Sequence, residues 1–131
     1  MRKSLILAAV AAACGTAVLA SAPLSGLARL QPGLWQLRQL DDPRAGVRSI
    51  CIANPDVLIQ LEHPGVACSR VVVTNDASGV DVQYTCPAGG YGRTLIRPES
   101  SRLAQIDSQG IRDNRPFLNR FEARWVKSCA R

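Results

Sequence analysis

At 131 residues, 47% hydrophobic and with a formal charge of +6, the chain has the length and apolar content of one globular domain. Its arginines are scattered among ten acidic residues instead of forming a basic run, which excludes a tract built for nucleic acid. A single histidine excludes a multi-histidine metal site.

The chain opens with Arg2 and Lys3, then an apolar run over residues 5–19, then Ala20-Ser21-Ala22. A positive start, a short apolar stretch and a small-x-small site are the parts of a cleavable secretory signal. The run falls short of the roughly 20 residues needed to cross a bilayer, and no later stretch approaches that length. Residues 1–22 are therefore expected to be removed near Ala22, releasing a periplasmic or secreted domain of residues 23–131 without a transmembrane segment. A rival processing route treats Ala11-Ala12-Ala13-Cys14 as a loose lipobox and makes Cys14 a lipid-anchored first residue. Loss of Arg2 and Lys3 lowers the charge to +4, and Lys127 is then the only lysine.

Residues 23–30 are expected to be a featureless lead-in. Pro32-Gly33 starts a strand over residues 33–40, residues 41–46 form a loop, and Val47 to Ile52 form a second short strand. Asn54-Pro55-Asp56 reads as a helix start, with a cap, proline at the first position and an early acid. Val57, Leu58 and Leu61 supply its apolar face and Pro64-Gly65 ends it, which predicts one or two turns and no other helix.

Cys68 to Cys86 reads as a β-hairpin with a cysteine at each open end. Val80, Val82, Tyr84 and Cys86 alternate with Asp81, Gln83 and Thr85, the period of a half-buried strand, around an Asn75-Asp76-Ala77-Ser78-Gly79 turn. Pairing Thr74 with Val80 sets Val72 against Val82, Arg70 against Tyr84 and Cys68 against Cys86. Residues 87–92 make a glycine-rich turn, 93–97 a strand, 98–101 a turn and 102–107 a strand. Ser108-Gln109-Gly110 and residues 113–116 are looser connections. The closing strand, residues 117–127, sets Phe121, Ala123 and Trp125 on one face and Glu122 and Arg124 on the other. About seven short strands at regular spacing predict a single all-β antiparallel meander, curled or barrel-like, with one short helix.

Four cysteines remain beyond the leader: Cys51, Cys68, Cys86 and Cys129. An even number in an exported chain points to two disulfides, with three possible pairings. If the short helix carries the chain back across the sheet, Cys68 and Cys86 share one end while Cys51 and Cys129 share the other. Bridged Cα atoms must lie within about 7 Å, so this topology selects Cys68–Cys86 and Cys51–Cys129.

The assembled pattern resembles the domain of unknown function 3617 family of small exported bacterial proteins. The likeness rests on the leader, Pro32-Gly33-Leu34-Trp35, Cys51 before a short helix, the Cys68–Cys86 hairpin, the glycine turn and Ala123-Arg124-Trp125-Val126-Lys127-Ser128-Cys129, and spans residues 29–129. It implies a small β-rich exported protein and brings no catalytic residue with it.

Candidate chemistry is sparse. His63 lies beside Glu62 before Pro64-Gly65 and is expected as a surface polar residue. No Cys-x-x-Cys or His-x-x-x-His spacing occurs, so neither a metal nor thiol redox chemistry is expected. Gly89-Gly90-Tyr91-Gly92-Arg93-Thr94 joins two strands and lacks the lysine of a phosphate loop. No Gly-x-Ser-x-Gly elbow is present. Trp35, Tyr84, Tyr91 and Trp125 would line a ligand cavity in a barrel, against a plainer role for Trp35 and Trp125 in core packing. Tyr91, in the glycine-rich turn, is the aromatic expected to be exposed and to touch a partner.

These observations predict a monomeric, non-enzymatic exported β-domain without a cofactor, binding a small molecule or an envelope component. An inhibitor of an exported or periplasmic enzyme is the alternative, and a hydrolase with an unrecognised site a third reading.

Overall fold

The computed structural model describes residues 23–130 together with Gly15. The leader, its cleavage region and Cys14 lie outside the described residues. Seven strands form one sheet: β1 (Gly33–Gln39), β2 (Val47–Ile52), β3 (Ser69–Asp76), β4 (Gly79–Thr85), β5 (Tyr91–Ser100), β6 (Leu103–Arg112) and β7 (Arg115–Lys127). Their order is β2-β1-β7-β6-β5-β4-β3, with every neighbouring pair antiparallel. The fold is the all-β meander expected, but the sheet does not close into a barrel, so β2 and β3 are both edges.

Alternation along the strands gives the sheet two unlike faces. The inner face carries rows such as Val80–Ile96–Ile106–Phe121, set side by side by the strand register. Trp35, Leu37, Val82 and Ala123 complete it, all buried. The outer face is laced with ion pairs: Arg93–Asp81 at 2.5 Å, Arg97–Asp107 at 2.8 Å, Arg38–Glu122 at 3.0 Å and Arg120–Asp107 at 3.5 Å. Most arginines therefore face a carboxylate, which accounts for a basic sequence without a basic patch. Such exposed pairs contribute only about 0–1 kcal/mol each.

Two segments outside the strands cover the inner face. The lead-in is not featureless: Ser25–Leu27 is a 3₁₀ turn, and Leu24, Leu27 and Leu30 are buried in the core. Gly26 permits this docking, because a Cβ there would stand 2.4 Å from the Gly79 carbonyl oxygen. Asn75 Oδ1 accepts a hydrogen bond from the Gly26 N–H at 2.8 Å. The second cover is the connection over residues 53–68, here called the strap. Its predicted helix is a single 3₁₀ turn, Pro55–Leu58, one of three such turns among the described residues. Leu58, Ile59 and Leu61 of the strap are buried.

The strap runs from the end of β2 to the start of β3 at the opposite end of the sheet, the crossing that the cysteine argument requires. Cys51–Cys129 and Cys68–Cys86 are the two disulfides, with Cα separations of 6.0 and 4.2 Å. The hairpin register matches the expected one at Arg70–Tyr84 and Val72–Val82, then shifts at a bulge between Val72 and Thr74. Thr74 consequently faces Asp81, and Asn75 faces Val80. Ser108, Gln109 and Gly110 belong to β6, not to a loop, since β5 and β7 pair with them on both sides. The chain reverses instead at Asp113-Asn114, both at positive φ, as a tight hairpin turn demands.

Candidate functional site

The strap builds a concavity between the two edges of the sheet. Asn54 caps its turn by accepting from the Asp56 N–H at 3.1 Å, and Pro55 presets the backbone at the first position. Further along, the Gln60 side-chain amide donates to the carbonyls of His63 at 2.8 Å and Val66 at 2.6 Å, closing the bend on itself. Arg70 at the start of β3 donates to Asp56 at 2.9 Å and ties the strap to that edge.

Burial of Leu58, Ile59 and Leu61 turns Val57 and Val66 outward, where both are exposed. The result is a groove of about 800 Å³ along the seam. Arg48, Ser49 and Ile50 of β2 form one wall, Cys68 and Arg70 the other, and Val57, Gln60 and Val66 part of the floor. Its volume falls in the range of about 300–1,000 Å³ found for small-molecule sites. Its lining is mixed: apolar side chains lie beside Asn54 and Gln60, Arg70 is paired with the Asp56 carboxylate, and Arg48 stands at the other wall.

A polar cluster lies beneath one end of the strap. The Glu62 carboxylate is buried and accepts from Arg112 at 2.7 Å and from the Asn119 amide at 3.1 Å, with Arg48 farther off at 3.8 Å. His63, expected on the surface, is half-buried: its Nδ1 and the Tyr84 hydroxyl form a hydrogen bond of 2.9 Å. The ring packs edge-on to Tyr84 and against Phe117. His63 Nε2 is buried without a partner, directly under Gly90, where a Cβ would come within 2.3 Å of it. Burial, together with the nearby Glu62 charge, pushes the Tyr84 phenol up to about 12. This arrangement does not suit acid–base work, because Glu62 is engaged by Arg112 and Asn119 and His63 Nε2 is sealed from any substrate. Among the described residues no three His, Cys, Asp or Glu side chains gather as metal ligands.

The four aromatic candidates do not line one cavity. Trp35 is fully buried and donates its indole N–H to the Gln31 carbonyl at 2.9 Å. Its register partner Trp125 is half-buried, donates to the Pro32 carbonyl at 3.0 Å and carries the Arg102 guanidinium 4.5 Å above its ring. Tyr84 belongs to the core. Tyr91 is exposed at 51%, as expected, and shares with Tyr84 and Phe117 a second groove of about 530 Å³ at the opposite end of the sheet from Trp125. The seam groove itself had no signal in any one motif, since its walls come from segments some 20 residues apart and at opposite edges of the sheet. No family model, curated protein or solved structure matches this chain.

Proposed function

We propose that the protein is a non-enzymatic exported binding domain whose contact surface is the seam groove, and that it takes a small molecule or an envelope component there. The observation that carries this reading is the groove itself, in which Val57 and Val66 lie between two arginine-bearing walls, beside a bend that Gln60 holds by its bonds to the His63 and Val66 carbonyls. Two disulfides, and the lack among the described residues of any helix long and apolar enough to cross a membrane, are compatible with export to an oxidising compartment. Signal cleavage near Ala22 and membership of the domain of unknown function 3617 family complete the proposal.

The test is capture from an envelope extract, with lipids and small molecules retained and identified by mass spectrometry. The bait is the protein exported with its own leader, beside its V57E/V66E double variant. Both valines are exposed, so the charges fill the groove without entering the core. A species held by the parent and lost by the variant supports the reading; identical sets contradict it. Inhibition of an exported enzyme is the second reading, favoured by the exposure of Tyr91, and it expects Tyr91→Ala to lose the captured species instead.

A further inference from the structure

Six antiparallel steps separate β2 from β3 across the sheet, so the two edges run in the same direction. They cannot pair with each other in the antiparallel manner of the rest of the sheet, but a single strand laid between them would be antiparallel to both. The strap occupies this seam without acting as that strand. Among the described residues no backbone hydrogen bond joins it to β2 or to β3, and its His63 and Val66 carbonyls are taken by its own Gln60. The outward backbone groups of β3 therefore have no strand beside them. β3 has neither the proline nor the lysine that often blunts an edge. Val71, Val72 and Val73 stand exposed at 65%, 47% and 48%. Its edge devices are the charged Arg70, which is paired with Asp56, the charged Asp76, and the bulge between Val72 and Thr74, which leaves residues 69–72 regular, next to the groove wall at Cys68 and Arg70.

From this geometry we infer that the seam receives an extended polypeptide segment of another protein, which pairs by its backbone with residues 69–72 of β3 and runs antiparallel to it. The inference rests on the seam being the contact surface. Main-chain hydrogen bonds supply affinity in this mode, and alternate side chains supply specificity. The groove states that specificity: β-branched or other apolar side chains over Val57 and Val66, and a carboxylate toward Arg48. Arg48 is half-exposed, lies 5.2 Å from the centre of the Phe121 ring and stands 3.8 Å from a Glu62 that Arg112 and Asn119 hold more closely, so its guanidinium can take an acidic side chain from the solvent side.

The probe is a synthetic peptide of about ten residues, alternating valine and threonine around a central glutamate, titrated into the mature protein by calorimetry with residue-resolved hydrogen exchange. Binding with Kd below about 100 µM is expected, together with a tenfold or greater slowing of outward amides in residues 69–72. N-methylation of at least one alternate set of peptide nitrogens should weaken binding tenfold or more, and Arg48→Glu several-fold. No binding at about 1 mM overturns the inference, as does binding indifferent to N-methylation and without protection of β3. Concentration-dependent protection of β3 in the absence of peptide, with dimers in sedimentation, overturns it in favour of a second copy of this chain. In each case the reading of the seam as contact surface is judged separately, since it stands or falls with the loss of captured species in V57E/V66E.

Discussion

The hydrogen bond of 2.9 Å between Tyr84 Oη and His63 Nδ1 clasps the end of the strap to β4. It joins residues 21 positions apart and fixes the bend that forms the groove floor at Val66. Tyr84→Phe keeps the ring and deletes the clasp, leaving His63 with both ring nitrogens unpartnered. A buried group so orphaned costs about 1–3 kcal/mol. Urea unfolding should show a lower midpoint with an unchanged slope, and an unchanged midpoint would mean that the clasp contributes nothing.

The same phenol predicts an alkaline limit. Its folded value, about 12, lies above the ordinary 10, so the neutral form is the one the fold favours. Its stabilisation is complete below pH 10 and is lost as pH rises from 10 toward 12, by up to about 2–3 kcal/mol. Stability measured across that interval should fall more steeply in the parent than in Tyr84→Phe; parallel curves would contradict the assignment.

Acid acts through the outer face. Hydrogen bonds from Arg93 to Asp81, and from Arg124 and Arg38 to Glu122, hold both carboxyls below their ordinary values of 3.8 and 4.5. Their contribution is present above those values and disappears as pH falls through the lowered ones. D81N/E122Q should therefore flatten the loss of stability below about pH 4.5, measured by thermal unfolding in low salt, where exposed pairs are least screened.

The two disulfides should differ in worth. Cys51–Cys129 closes a separation of 78 residues and Cys68–Cys86 one of 18. Chain entropy assigns about 4.5 and about 3 kcal/mol to them. C51A/C129A should lower the denaturation midpoint more than C68A/C86A does. The reverse order would show that the hairpin bridge acts through the strap it terminates, and not chiefly through the unfolded chain.

Much of this architecture was legible in the sequence because it follows period and parity. The alternation from Val80 to Cys86 set the hairpin register at Arg70–Tyr84 and Val72–Val82 but not beyond the bulge, where Val80 faces Asn75 and not Thr74, and counting strand reversals paired four cysteines correctly. Local composition misled where neighbours on both sides decide the outcome: Ser108, Gln109 and Gly110 look like a loop but are held in β6 by β5 and β7. The lead-in carried a signal that alternation does not reveal, leucines at 24, 27 and 30, the period of a 3₁₀ turn. His63 was misplaced because its burial depends on Tyr84 and Gly90, which reach it only after the strap has crossed the sheet. The groove was illegible for the same reason, being the gap between two edges.

The central claim, that the seam is the contact surface, is tested most directly by mapping amide shifts in two-dimensional NMR as the species captured from the envelope extract is titrated into the protein. Shifts concentrated in residues 48–50, 57–67 and 68–72 are the expected result. Shifts gathered instead around Tyr91 and Phe117, with the seam silent, would contradict it.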